Sequence, residues 1–95
     1  MEIASLEWYE HSRAKLAAHG ISRREVRDLV RRGTYTVGVH PDYPDQVRIT
    51  GPTSTGRFLT IAPEDLGGGA YRPITGWEAT AAEVRRYYQD TEGAR

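Results

Sequence analysis

The stretch Glu10-His11-Ser12-Arg13-Ala14-Lys15-Leu16-Ala17-Ala18-His19 carries two imidazoles and an ammonium. At helical spacing His11, Lys15 and His19 fall at i, i+4 and i+8 and share one side. A neutral histidine can take or return a proton near pH 7, and a lysine can hold a phosphate. The ordinary alternative is a solvated Lys15 and a His19 that packs or hydrogen-bonds at the helix end. Paired histidines also raise metal binding. No acidic residue shares their stripe and the chain has no cysteine, so no metal and no cofactor is expected.

Arginines supply the other candidate chemistry. Arg57 and Arg72 lie in strand-like segments, where a guanidinium fork could clamp phosphate or form a salt bridge with Glu64, Glu78 or Glu83. Arg48 reads as an exposed cross-strand partner. Tyr87 and Tyr88 are neighbours, so one should enter the core and the other stay half-exposed, free to offer a phenol or a stacking face. Arg24, Arg27 and Arg31 recur along one side of a helix, either solvated or as a docking row. Gly67-Gly68-Gly69 is not followed by a helix with lysine and serine, which argues against a nucleotide-phosphate loop.

These side chains need a scaffold that 95 residues can build only as one small domain. Thirteen basic residues balance thirteen acidic ones, which argues against polyanion binding by the whole surface. Residues 1–40 are slightly basic and residues 41–95 slightly acidic. No apolar run reaches the ~20 residues of a membrane span, and the start lacks the pattern of a signal peptide. A cytoplasmic protein is expected.

A first helix should run from Leu6 or Trp8 to His19 and stop at Gly20. Ser22-Arg23-Arg24-Glu25 reads as a capping box for a second helix ending at Gly33. Strands are expected at 34–39, 47–50, 57–62 and 70–75, with turns at 41–45, 51–56 and 63–69. Pro73 signals an edge or a bulge. Thr80 and Glu83 form a second capping box, and 91–95 should fray. The expected class is α+β in the order α-α-β-β-β-β-α. It places a small antiparallel sheet against helices, which could cover one face.

Order and motifs together resemble the BrnT-like toxins of bacterial type II toxin–antitoxin systems, within the RelE/ParE superfamily. The likeness lies in Tyr9 to Ser22 with Glu25-Val26, in Gly51 to Leu59, and in Tyr71 to Thr80 with Glu83 and Tyr87-Tyr88. The chain departs from the pattern at Pro73, where an aliphatic residue is expected, and at Trp77, where an arginine is. The resemblance implies a metal-independent endoribonuclease that inhibits translation. His11, Lys15, Arg57, Arg72, Tyr87 and Tyr88 would then converge on one cavity as catalytic groups. His19, Arg24, Arg27, Arg31, Arg48, Trp77 and Glu83 would bind. The implied partners are a cognate antitoxin protein and RNA, including ribosome-bound mRNA, in a heterocomplex or a homodimer. The alternative is a non-catalytic protein-binding module on the same fold, for instance one that blocks gyrase.

Overall fold

The computed structural model describes residues 1–39, 42–43 and 46–92. Its elements are β1 (Ser5–Leu6), α1 (Glu10–Ala18), α2 (Arg23–Arg32), β2 (Thr36–Val39), β3 (Val47–Pro52), β4 (Phe58–Gly67), β5 (Ala70–Glu78) and α3 (Ala81–Glu92). The α+β class stands, with one strand more than the sequence pattern suggested. Ser5 and Leu6 pair in parallel with Ala70 and Tyr71, so the sheet is mixed and five-stranded, ordered β1-β5-β4-β3-β2. Two residues are too few for any periodicity to reveal. They also shorten α1, because the chain stays extended through Tyr9 before the helix begins.

The remaining strands form antiparallel hairpins. β4 and β5 run beyond their expected ends and absorb Pro63. There the register shifts and Pro63 faces Pro73, so two residues without N–H groups meet where the ladder is already irregular. Gly67, Gly68 and Gly69 make the turn, all at positive φ. Of the expected 41–45 turn, Pro41, Pro44 and Asp45 lie outside the described residues. α3 takes in Thr91 and Glu92, which were expected to fray. The Thr91 hydroxyl donates to the carbonyls of Tyr87 and Tyr88.

Alternation of side chains divides the sheet into two working faces. Ile49, Leu59 and Ile61 point one way and pack with Leu16 of α1, Ile21, and Val26 and Leu29 of α2. Close approach on this side needs glycine. A Cβ on Gly76 would stand 2.6 Å from Ile61 Cδ1 and 3.0 Å from Leu16 Cδ2. The opposite face carries Thr36, Thr50, Thr60 and Trp77 side by side across four strands. Phe58 shares that face and packs against Tyr87 and Tyr88 of α3. The expectation that all helices could cover one face is therefore corrected: α1 and α2 take one side and α3 the other.

Candidate functional site: a cleft beneath the last helix

The arginine, imidazole and phenol groups expected to share one cavity are distributed over separate surfaces. Arg57 precedes β4 and turns toward α1 and α2. Its Nη1 donates to the Gly20 carbonyl (2.9 Å) and to Glu25 Oε2 (2.8 Å). Arg72 stands opposite Glu64, seven residues further along β4, or roughly 20 Å at the rise of a strand. Its guanidinium lies 3.6 Å from the centroid of the Tyr9 ring and pairs with Glu64 Oε2 at 3.3 Å. One arginine thus sits at each end of α1. The side chains of His11, Lys15 and His19 stay exposed on the outside of that helix, without a hydrogen bond or ion pair among the described residues. Tyr87 and Tyr88 belong to the other face of the sheet.

The Glu25 site explains why Arg57 is structural. Ser22 caps α2 by accepting from the Glu25 N–H, and Glu25 accepts in return from the Ser22 N–H. Burial pushes the Glu25 carboxyl upward, but the Ser22 N–H and the Arg57 guanidinium outweigh it, and its pKa falls below the ordinary value. Asp28, on the same helix, accepts from the Ser54 N–H at 2.6 Å, and that bond lowers its pKa. Both carboxylates of α2 thereby hold the connection between β3 and β4.

Three of the expected binding residues do come together, on the α3 face. Arg48 Cζ lies 5.2 Å from the centroid of Trp77. Trp77 Nε1 donates to Glu83 Oε1 at 2.9 Å, and the same oxygen accepts from the Thr80 N–H at 2.8 Å. Thr80 Oγ1 accepts from the Glu83 N–H, which completes the second capping box read from the sequence. The cap fixes Glu83 at the start of α3, and the sheet register fixes Trp77 beneath it. A cleft of about 570 Å³ opens beside them, lined by Thr36, Arg48, Thr50, Glu83, Arg86 and Asp90 with β2. Arg86 Nε donates to Asp90 Oδ1 at 3.0 Å. Tyr88 stands beside Tyr87 with about half its surface exposed, whereas Tyr87 anchors α3 by donating its hydroxyl to the Thr34 carbonyl. Two carboxylates, two guanidiniums and threonine hydroxyls, with aromatic rings alongside, are a set able to hold a phosphodiester and move a proton.

Two arginines outside the expected set also line grooves, Arg86 of α3 and Arg23 of α2. The signal for Arg86 was its i, i+3 spacing from Glu83, which puts both on one helix side. For the second helix, the arginines that line a common groove are Arg23, Arg27 and Arg31, beside Trp8. Arg24 does not line it. Spacing alone does not separate the two sets, since both share a helix side; the side on which α2 meets β1 selects Arg23 over Arg24.

No protein-family model matches the chain, and no curated protein sequence does. Among solved structures, it is similar to the crystal structure of the Brucella abortus ribonuclease toxin BrnT. The TM-score is 0.60 at 18% identity, over 80% of this chain and 96% of that one. The chain therefore has a BrnT-like α+β fold.

Proposed function

We propose that the chain is an RNA-cleaving toxin and that the cleft under α3 is its site. The observation that carries this reading is the contact series Arg48–Trp77–Glu83, whose two charged ends line a cleft together with Arg86. The likeness of fold to a ribonuclease toxin supports it. The 2′-hydroxyl of RNA attacks the adjacent phosphate without a metal when a base removes its proton and cations hold the crowded phosphate. Glu83 takes that proton on the oxygen not committed to the helix cap, then returns it to the departing 5′ oxygen. Arg48 and Arg86 hold the phosphate oxygens. Trp77 and Tyr88 offer faces on which bases stack. The resembled family carries an arginine where this chain has Trp77, and Arg48 brings a guanidinium to that position from β3. Acting on mRNA in the cytoplasm, such an enzyme inhibits translation and needs a cognate antitoxin to hold it silent.

Glu83→Gln tests the reading directly. An amide oxygen still accepts from Thr80 and Trp77, so the cap and fold persist while the base is lost. Purified wild-type chain should cleave single-stranded RNA in the presence of a chelator, leaving 2′,3′-cyclic phosphate ends. Glu83→Gln should be slower by about 100-fold or more. Equal rates, or no cleavage by the wild type, reject this assignment. Growth arrest on induction in a bacterial host with RNA left intact would instead favour a protein-binding toxin on the same fold.

A further inference from the structure

Thr50 and Thr60 meet on the sheet face beneath the α3 cleft. They stand opposite each other on β3 and β4, and alternation puts Thr50 on the same side of β3 as Arg48. Their Oγ1 atoms lie 2.9 Å apart, a distance that fits one O–H···O bond and leaves open which hydroxyl donates. The surroundings decide it. Thr60 is fully buried, and among the described residues Thr50 Oγ1 is the one hydrogen-bond partner of its hydroxyl. A hydroxyl carries a single hydrogen. Were Thr50 the donor, the Thr60 hydrogen would be sealed in the sheet with neither an acceptor nor a route to water, which is the costly arrangement. With Thr60 as donor no hydrogen is stranded: Thr50 accepts, and its own proton is left over. Thr50 is partly exposed and lines the cleft with Arg48 and Arg86. Thr36, its neighbour on β2, donates to the Thr50 carbonyl and leaves that hydroxyl alone.

We propose that Thr50 donates a hydrogen bond to a non-bridging phosphate oxygen of RNA in the α3 cleft, and that Thr60 is the positioning residue that aims its proton there. This rests on the reading of the cleft as an RNA-cleaving site. A lone threonine turns its hydrogen to whichever acceptor is nearest, neighbouring backbone included. Thr60 narrows that freedom by occupying one acceptor lobe of Thr50 Oγ1, so the remaining O–H is directed away from the buried side. Attack by the 2′-hydroxyl, once Glu83 has taken its proton, brings a further negative charge onto the phosphate group. The non-bridging oxygens share that charge, so a donor fixed beforehand binds the crowded phosphorus more strongly than it binds the intact diester. Thr50 keeps its own proton throughout, and the proton in transfer stays with Glu83. The contribution of the hydroxyl therefore falls on kcat and not on KM. Arg48 and Arg86 supply charge, and the neutral hydroxyl supplies direction.

Steady-state cleavage of single-stranded RNA by the full chain tests it, with Glu83→Gln run alongside. Thr50→Val should lower kcat by about tenfold with KM held within about twofold, and Thr50→Ser should restore the rate. Thr60→Val should lower kcat by about threefold, and Thr60→Ser, which keeps the donor, should recover it. The double variant Thr50→Val/Thr60→Val leaves no hydroxyl stranded, so it folds even if Thr50→Val, which orphans Thr60, does not. Its kcat should be about one-tenth that of the wild type, the same as for Thr50→Val alone, because Thr60 acts only through Thr50. A double variant with wild-type kcat overturns the proposal. So does a Thr60→Val loss that multiplies onto that of Thr50→Val, or a change confined to KM. Where the wild type cleaves and Glu83→Gln is slow, those results reject the hydroxyl pair alone; a wild type that leaves RNA intact rejects the reading beneath it as well.

Discussion

Glu25 caps α2 with one oxygen and pairs with Arg57 through the other, and both partners are roughly three-quarters buried. Its lowered pKa has a consequence for stability. The carboxylate contributes fully at pH above the ordinary value of 4.5, and the contribution disappears as pH falls through the lower, folded-state value. Glu25→Gln keeps a capping acceptor and removes the charge. It should cost about 1 kcal/mol near neutral pH in urea unfolding, and that difference should shrink toward zero as the pH is lowered through the folded-state value. A gap that persists in acid would mean that packing, not charge, makes the site. Arg72 shows the same economy of charge: stacked on Tyr9 and paired with Glu64, it braces the entry to α1.

Among the elements, α1 is the most constrained. It lies close over β5 because Gly76 presents no side chain beneath Leu16. Gly76→Val would drive methyl groups into Leu16, Ile61 and the Thr60 carbonyl. It should destabilise the chain by about 2–3 kcal/mol, read as a lower urea midpoint with an unchanged slope. A smaller loss would show that α1 can lift off the sheet. The outward side of the same helix, with His11, Lys15 and His19, takes no part in this packing. α3 is held by different means: a capping box at its start, the Phe58–Tyr87–Tyr88 ring cluster, and the Tyr87 bond to Thr34. Its position decides the shape of the candidate site.

At the scale of the molecule, the sheet separates two surfaces with different chemistry: the α3 cleft on one side and, at the opposite edge, the groove bordered by β1. The edge depends on the first residues. Removing residues 2–6 would strip Ile3 and Leu6 from the margin of the core and bare the outer edge of β5 at Ala70 and Tyr71. The expected loss is about 2 kcal/mol, with concentration-dependent association in sedimentation experiments as the bare edge finds other strands. A truncated chain that is equally stable and monomeric would show that β1 is ornamental.

Local chemistry made much of the fold legible. The Ser22–Glu25 and Thr80–Glu83 caps, the stops at Gly20 and Gly33, and the bulge at Pro73 each follow from what a few adjacent residues can do with their own backbone. The two-residue β1 escaped, because its only reason to be a strand is Tyr71, far along the chain. The site was legible in its residue types but not in its grouping. Arg57, Arg72 and the α1 histidines looked convergent, yet strand register set the two arginines at opposite ends of α1. Arg48, Trp77 and Glu83 come from three elements, and only the register of β3, β4 and β5, together with the side on which α3 lands, brings them into contact. Propensity and capping act over a few residues and can be read directly. Which distant side chains meet is decided by pairing and packing, whose energies exist only once the whole sheet has closed.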